Sequence, residues 1–169
     1  KLINIYETFE KPLIKILALM EIKGIKLDEN FLKTLSNKFD KKIKILEKEI
    51  YKISNKQFKI GSTKQLGEIM YNELKIASLK KTKKGSFATN ASVLEDLAFK
   101  GHKLPKLVLD WRQVTKLKNT YSDSLQEHIN PNTKRVHTSF LLAATTTGRL
   151  ASSDPNLQNI PIKSEDGKD

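Results

Sequence analysis

The chain has 169 residues, of which 38% are hydrophobic, enough for one core or for one helical domain with an incomplete appendage. Lysine and arginine total 31 against 19 aspartate and glutamate residues, so the formal net charge of +12 favours a polyanionic partner. The lack of cysteine excludes disulfides and thiolate metal sites, and no apolar run approaches the ~20 residues of a membrane span, which predicts a soluble intracellular protein.

Apolar spacing predicts two helices in the first third of the chain. The first runs to Glu10, starts again or kinks at Pro12 and ends at Gly24. Asp28 is suited to cap the second helix, which extends to about Lys52. Its apolar residues recur at intervals of three and four and form a narrow seam: Leu32, Leu35, Phe39, Ile43, Leu46, Ile50 and Ile53. Such a seam is typical of a helix that packs beside one antiparallel partner.

A capping box formed by Ser62 and Gln65 predicts the start of a short third helix. The buried face of this helix consists of Leu66, Ile69 and Met70. A lysine-rich loop over residues 80–86 follows it.

Two more helices are predicted after this loop. Thr89 or Asn90 caps the first, which ends at Gly101. Pro105 fits the first turn of the second, a long helix whose apolar face is expected to pack on the seam. That face consists of Val108, Trp111, Val114 or Thr115, Leu117, Tyr121 and Leu125.

From Asn130 onward the pattern changes from helix to turn and strand. Residues 135–142 are rich in Val, Thr, His and Phe and predict a strand, with residues 145–150 returning beside it as a hairpin or sheet edge. The predicted fold class is therefore mainly α, with a long antiparallel helix pair followed by a small β-hairpin.

The sequence offers no convincing catalytic constellation. Two-metal chemistry needs at least two carboxylates that converge on the cations, whereas Asp154 precedes Pro155 and is better suited to a turn. The three histidines lie in different elements without a matching nucleophile and are interpreted as surface or packing residues: His102, His128 and His137.

Three features suit a nucleic acid better. The helix start at residues 62–64 offers free N–H groups and a lysine to a phosphate, although a plain helix cap is the favoured interpretation of this feature taken alone. The lysines of residues 80–86 could follow one strand, although an AT-rich coding sequence also produces lysines in excess. Arg149 is followed by three carboxamides, and such planar donors suit the minor groove, where every Watson–Crick pair presents similarly placed acceptors. The carboxamides are Asn156, Gln158 and Asn159.

Residues 147–161 read T-G-R-L-A-S-S-D-P-N-L-Q-N-I-P. This segment resembles, almost residue for residue, the signature that opens the palm of family A DNA polymerases, the bacterial DNA polymerase I type. The rest of the chain is similar to that family in the same order. The matching segments are 9–13 and 24–28, which resemble the helix leading out of the exonuclease region, 61–66, 79–82, 104–106 and 116–121 in the thumb, and 135–140 in the first palm strand.

The resemblance implies a domain division and a set of DNA contacts. Residues 1–26 would be the leading helix, 27–129 a helical thumb and 130–169 an incomplete first segment of the palm, from a parent of α+β fold. By this resemblance, the residues that would contact the minor groove at the primer terminus are Arg149, Asn156, Gln158 and Asn159. Residues on the duplex path are Arg112, Lys116 and Tyr121. Residues near backbone phosphates are Ser62, Thr63, Lys64, Lys84 and Thr89.

The resemblance also implies a parent enzyme of the bacterial cytoplasm, associated with the nucleoid, that adds deoxynucleotides to a primer 3′ end with Mg²⁺. The metal-binding aspartates of the family are expected beyond residue 169, so this piece is expected to bind primer-template DNA without catalysing and without a cofactor. A monomer is expected, with association through open strand edges of the truncated palm as the other outcome.

Two alternatives remain open at this stage. The seam is also compatible with a coiled-coil-like interaction module that has no nucleic-acid function. A nonspecific RNA- or single-strand-binding protein is the other alternative, but it would need interleaved aromatic platforms that this sequence lacks.

Overall fold

The computed structural model describes residues 2–76 and 87–158. Helices predominate, which confirms the predicted fold class: α1 (Leu2–Ile5), α2 (Lys11–Lys23), α3 (Glu29–Ser54), α4 (Thr63–Gly67), α5 (Ala91–Phe99), α6 (Lys103–Leu117) and α7 (Ser124–Glu127). Wider helical turns at Tyr6–Glu10, Glu68–Glu73 and Lys118–Asp123 follow α1, α4 and α6. The strands are β1 (Ile25–Lys26), β2 (Arg135–Val136), β3 (Ser139–Leu141) and β4 (Ala151–Ser153).

The chain divides into two compact units. The central unit comprises the described residues between 36 and 118, and the terminal unit comprises those up to 35 and from 119 onward. The core of the central unit contains side chains from α3, α4, the wider turn after α4, α5 and α6 that are almost fully removed from solvent: Ile50, Leu66, Met70, Leu94 and Val108. Burial of each such side chain contributes about 1.5–3 kcal/mol relative to exposure.

Two polar contacts give the direction in which α3 and α6 run in the central unit. Trp111 Nε1 donates to Glu47 Oε1 at 3.1 Å, and Lys118, immediately after α6, lies 3.5 Å from an oxygen of Asp40. From the first contact to the second, the residue number falls by seven along α3 and rises by seven along α6, so the two helices run in opposite directions. This confirms the antiparallel helix pair. The apolar seam of α3 is buried at Phe39, Leu46 and Ile50.

The predicted N-terminal cap forms at α3 but only partly at α4. The Asp28 carboxylate accepts hydrogen bonds from the backbone N–H groups of Asn30 and Phe31, both at 3.0 Å, as the sequence predicts. At α4 the predicted capping box is only half formed. Ser62 Oγ accepts from the N–H of Gln65 at 3.4 Å, but Gln65 Oε1 accepts from the N–H of Lys59 instead of returning to Ser62. The backbone N–H of Ser62 already has a partner in the carbonyl of Lys59, which explains the difference.

The predicted hairpin has the wrong partner segments. Strand β2 pairs with β1, through Ile25 opposite Val136, and only β3 belongs to the later hairpin. The returning strand is β4, whereas residues 145–150 form the turn that leads into it. The reason is local: Gly148 has φ +71°, and its N–H donates to the carbonyl of Thr145, which closes a tight turn where the prediction placed a strand.

The end of α2 is tied to the segment that starts with β2. His137 Nδ1 donates to the carbonyl of Glu21 at 2.7 Å, and the guanidinium of Arg135 donates to the carbonyl of Gly24 at 3.0 and 3.3 Å. Helix ends leave carbonyl groups without helical partners, and these two side chains supply the donors. The structure therefore gives His137 the packing role expected from the sequence.

Gly24 is the residue at which this junction is most sensitive. It has φ +63°, and a Cβ added there would lie 2.8 Å from the ring of His137 and from the carbonyl oxygen of Val136. We expect Gly24→Ala to lower the free energy of unfolding by about 2–5 kcal/mol, through backbone strain and overpacking. Urea unfolding followed by circular dichroism measures the change.

Gly148→Ala is the matched control, because Gly148 also has a positive φ but a Cβ there would meet nothing within 4 Å. Its expected cost is about 1–2 kcal/mol, from the backbone alone. Equal losses for the two variants would contradict the close contact at Gly24.

Candidate nucleic-acid interface

Arg149 lies at the end of the tight turn in the terminal unit. Thr145 Oγ1 donates to the carbonyl of Arg149 at 2.9 Å, so the backbone of Arg149 is fixed by the turn. The residue as a whole is exposed. A guanidinium that extends from a fixed backbone loses less conformational freedom on binding than one on a loose loop.

Asn156 and Gln158 follow β4 in the sequence, whereas Arg149 precedes it. Both residues are exposed. The side-chain oxygen of Asn156 accepts from the N–H of Gln158 at 3.0 Å, so it helps to build the turn in which it lies. The structure therefore gives Asn156 a local structural role that the sequence analysis did not assign, while its predicted contact with DNA stays a prediction.

Two buried hydroxyl groups support this turn from the inside. Thr138 Oγ1 donates to the carbonyls of Ser153 and Pro155, at 3.0 and 2.7 Å, and the N–H of Leu157 donates to Ser152 Oγ at 3.1 Å. Thr138 is 5% exposed and Ser152 is 4% exposed. The sequence analysis missed both residues. The alternation of inward and outward positions along residues 136–139, in which Val136 is also buried, is the signal that could have identified Thr138.

In the central unit the structure brings Thr89 and Arg112 together. The Arg112 guanidinium donates to the carbonyl of Thr89 at 2.6 Å, and burial lowers the pKa of Arg112 from its ordinary value. The Tyr71 hydroxyl donates to the carbonyl of the preceding residue, Ala88, at 2.7 Å. The segment before α5 is therefore held at two successive carbonyls.

The start of α5 has polar groups that lack partners. Asn90 is the N-cap, but its side chain donates to Ser92 Oγ and makes no capping bond to the helix backbone. The first turn of α5 has no acidic residue. Within residues 2–76 and 87–158, the buried Thr89 Oγ1 has no hydrogen-bond partner. This helix start therefore combines unsatisfied donors with a nearby guanidinium.

The other predicted contact residues are only partly brought together. Arg112 and Lys116 are one turn apart on α6 and share one side of it, with Lys116 exposed. Tyr121 is half-buried and belongs to the terminal unit. Ser62 is half-buried at the start of α4, where Thr63 and Lys64 are exposed. Lys84, Asn159 and the rest of the 80–86 loop lie outside the described residues.

Neither a metal centre nor a membrane-spanning helix is found in the part of the chain that the structure describes. Over residues 2–76 and 87–158, no three His, Asp or Glu side chains are grouped so that they could hold a metal ion. The described helices are also too short or too polar to cross a membrane.

The buried Tyr71 hydroxyl, which is bonded to the segment before α5, should make the stability of the protein depend on pH. Burial raises the pKa of Tyr71 above its ordinary value of 10.0, so the folded protein keeps a proton that the unfolded chain loses near that pH. We expect Tyr71→Phe to lower the free energy of unfolding by about 1–3 kcal/mol at neutral pH, because the carbonyl of Ala88 loses its donor. Urea unfolding at a series of pH values measures the difference from the wild type.

The contribution of the hydroxyl is complete below the unfolded pKa and is lost as the pH rises toward the higher folded pKa, so the difference should narrow above pH 10. Tyr51→Phe is the control. The Tyr51 hydroxyl makes a longer bond, 3.1 Å to the carbonyl of Phe58, in a less buried position, and a smaller loss is expected. A difference that widens above pH 10 would contradict this assignment.

Comparisons with known proteins identify the family of this chain. Residues 29–169 match DNA polymerase family A. The chain is 50% identical over 99% of its length to DNA polymerase I of Rhizobium leguminosarum and 48% identical over 97% to that of Caldicellulosiruptor bescii, but it spans only 16% and 19% of these relatives. A solved structure, the POL domain of Pol1 from M. smegmatis in complex with DNA primer-template and dNTP, matches with a TM-score of 0.86 and 37% identity, over 98% of this chain and 29% of that one. The chain belongs to DNA polymerase family A.

Proposed function

We propose that this chain holds the minor-groove side and the backbone of primer-template DNA within a family A polymerase. The observation that carries the proposal is the exposed pair Arg149 and Gln158, which flank β4 on backbone fixed by internal hydrogen bonds. The net charge of +12 supports a polyanionic partner, and the M. smegmatis relative was solved with primer-template DNA.

The minor groove suits these side chains because of what it presents. Purine N3 and pyrimidine O2 are acceptors at similar places in every Watson–Crick pair, so the donors of a guanidinium or carboxamide bind there without reading sequence. A mispaired base shifts these acceptors. Arg149 and Gln158 would therefore hold matched primer ends more tightly than mismatched ones, with Asn156 and Asn159 close by.

Backbone phosphates are assigned to the central unit. At the start of α5, next to the buried Thr89, the uncapped N–H groups and the Arg112 guanidinium are suited to a single phosphate. Lys116 extends the positive charge one turn further along α6. Ser62, Thr63, Lys64 and Lys84 are proposed as further phosphate contacts, and Tyr121 is proposed to lie on the duplex path.

The alternative of a coiled-coil-like module loses its main support. It depended on an apolar seam of α3 that was open to a second protein, but the seam residues Phe39 and Ile50 are only 2% and 0% exposed within the chain itself. A surface that is already packed inside one chain is not available to a partner without unfolding.

For the complete polymerase we propose the activity of the family. It would add deoxynucleotides to a primer 3′ end with Mg²⁺, in the bacterial cytoplasm at the nucleoid. The 169-residue chain alone is proposed to bind without catalysing, because the resemblance assigns the metal-binding aspartates to other parts of the enzyme. It would be monomeric, with association through the open edges of its two-stranded sheets as the alternative.

Arg149→Ala tests the minor-groove contact. We expect the variant to bind a fluorescent primer-template about 10- to 100-fold more weakly in an anisotropy titration, because a well-placed donor pair to base edges is worth about 1–3 kcal/mol. Lys48→Ala removes one positive charge from an exposed position of α3 and should change the affinity less than about twofold. Equal losses of affinity in both variants would mean that Arg149 contributes only its charge and makes no specific contact with base edges.

The salt dependence tests the phosphate contacts. If about five phosphates are neutralised, the logarithm of the binding constant should fall with the logarithm of the salt concentration at a slope of about −4.5. Arg112→Gln should make the slope shallower by about one unit, whereas Gln158→Ala should leave it unchanged, because Gln158 is assigned to base edges. Binding that is indifferent to salt would overturn the assignment of phosphates to this chain.

A further inference from the structure

The turn that follows β4 depends on a hydroxyl group that lies on another strand segment. Thr138 immediately precedes β3, and its Oγ1 lies 3.0 Å from the carbonyl oxygen of Ser153 and 2.7 Å from that of Pro155. Both distances are those of a hydrogen bond, so one hydroxyl proton is shared between two carbonyls on either side of Asp154. Thr138 therefore binds the start of the turn, at the carbonyls on either side of Asp154.

The backbone between those carbonyls does not adopt an ordinary conformation. Asp154 has φ +54°, a value that residues other than glycine seldom adopt. Such a conformation persists only where the surroundings hold it. Thr138 is 5% exposed, so water does not compete for its hydroxyl, and it is the side chain that reaches the carbonyls on both sides of Asp154.

From this anchor a short series of hydrogen bonds leads to Gln158. The N–H of Leu157 donates to the buried Ser152 Oγ at 3.1 Å, and the N–H of Gln158 donates to the side-chain oxygen of Asn156 at 3.0 Å. The position of the Gln158 backbone is therefore set by Asn156 and Ser152. Both of these lie within five residues of the two carbonyls that Thr138 holds.

We propose that Thr138 is a positioning residue for primer-template binding: its buried hydroxyl places the exposed carboxamide of Gln158 for contact with the minor groove. Thr138 itself touches no DNA in this proposal, since it is buried. The inference rests on the proposed function above, and it adds a residue to which neither the sequence signature nor the family resemblance gave a role.

Thr138→Val tests the proposal, because valine keeps the shape of threonine and removes the hydroxyl. In the full 169-residue chain we expect primer-template affinity to fall about three- to tenfold, the range for loss of one hydrogen bond. Thr138→Ser restores the hydroxyl and should return the affinity to within about twofold of the wild type. Thr34→Val, which removes an exposed threonine hydroxyl bonded within α3, is the matched control and should bind like the wild type.

A double-mutant cycle separates positioning from a general loss of stability. In the Gln158→Ala background we expect Thr138→Val to change the affinity less than about twofold, because the side chain that it positions is already absent. A loss of the same size in both backgrounds would overturn the proposal, as would Gln158→Ala binding like the wild type.

Amide exchange in the free protein distinguishes this proposal from the proposed function. The N–H groups of Leu157 and Gln158 should exchange at least about tenfold faster in Thr138→Val, while the N–H of Phe140, which donates to the carboxylate of Glu21, keeps its rate. If Thr138→Val does not fold, Thr138→Ala replaces it, and the N–H groups of Leu157 and Gln158 should show the same acceleration. If the wild type does not bind DNA, the proposed function fails whatever the exchange rates are. If the wild type binds but these exchange rates do not change, the positioning role of Thr138 fails.

Discussion

Both candidate contact regions depend on one kind of interaction: a hydrogen bond that a side chain donates to a backbone carbonyl of a segment distant in the sequence. Tyr71 holds the carbonyl of Ala88, Arg112 holds that of Thr89, and Thr138 holds the carbonyls around Asp154. A carbonyl that does not belong to a helix or sheet must find a donor elsewhere. Where the donor comes from the interior, the loop is fixed in place while its own side chains stay free to face outward.

This arrangement separates stability from recognition. The residues proposed to meet DNA, such as Arg149 and Gln158, are exposed, so replacing them should affect binding with little effect on folding. Thr138 and Tyr71, which hold neighbouring backbone segments, are buried, and loss of either hydroxyl leaves a carbonyl unsatisfied. In the proposed function, the chain binds any DNA sequence and still responds to the geometry of a base pair. Donors on rigid backbone meet that requirement, because a mobile donor would adapt to a mismatched pair.

The helical part of the fold could be predicted closely because its signals are local. The Asp28 cap, the three-and-four spacing of the α3 seam and the placement of Pro105 in the first turn of α6 each depend on a few neighbouring residues. The strand region could not be predicted as well. Residues 135–142 have strand composition, but β2 pairs with β1, more than a hundred residues earlier, and composition does not identify such a partner. Half of the capping box at Ser62 also failed, because the carbonyl of Lys59 had already taken the N–H group that Gln65 would have used.

The sequence by itself determined the family, the mainly helical class and the identity of the outward-facing candidates, since the signature from Thr147 to Pro161 is continuous along the chain and needs no folding to be recognised. Only the tertiary structure decided which residues hold those candidates in place. Thr138 lies 15 and 17 residues from the carbonyls that it binds, Tyr71 lies 17 residues from Ala88, and Arg112 lies 23 residues from Thr89. Threonine, tyrosine and arginine have the same letters in the sequence whether their side chains are solvated or hydrogen-bonded to a carbonyl. Its role is set by the burial and distance that folding alone creates.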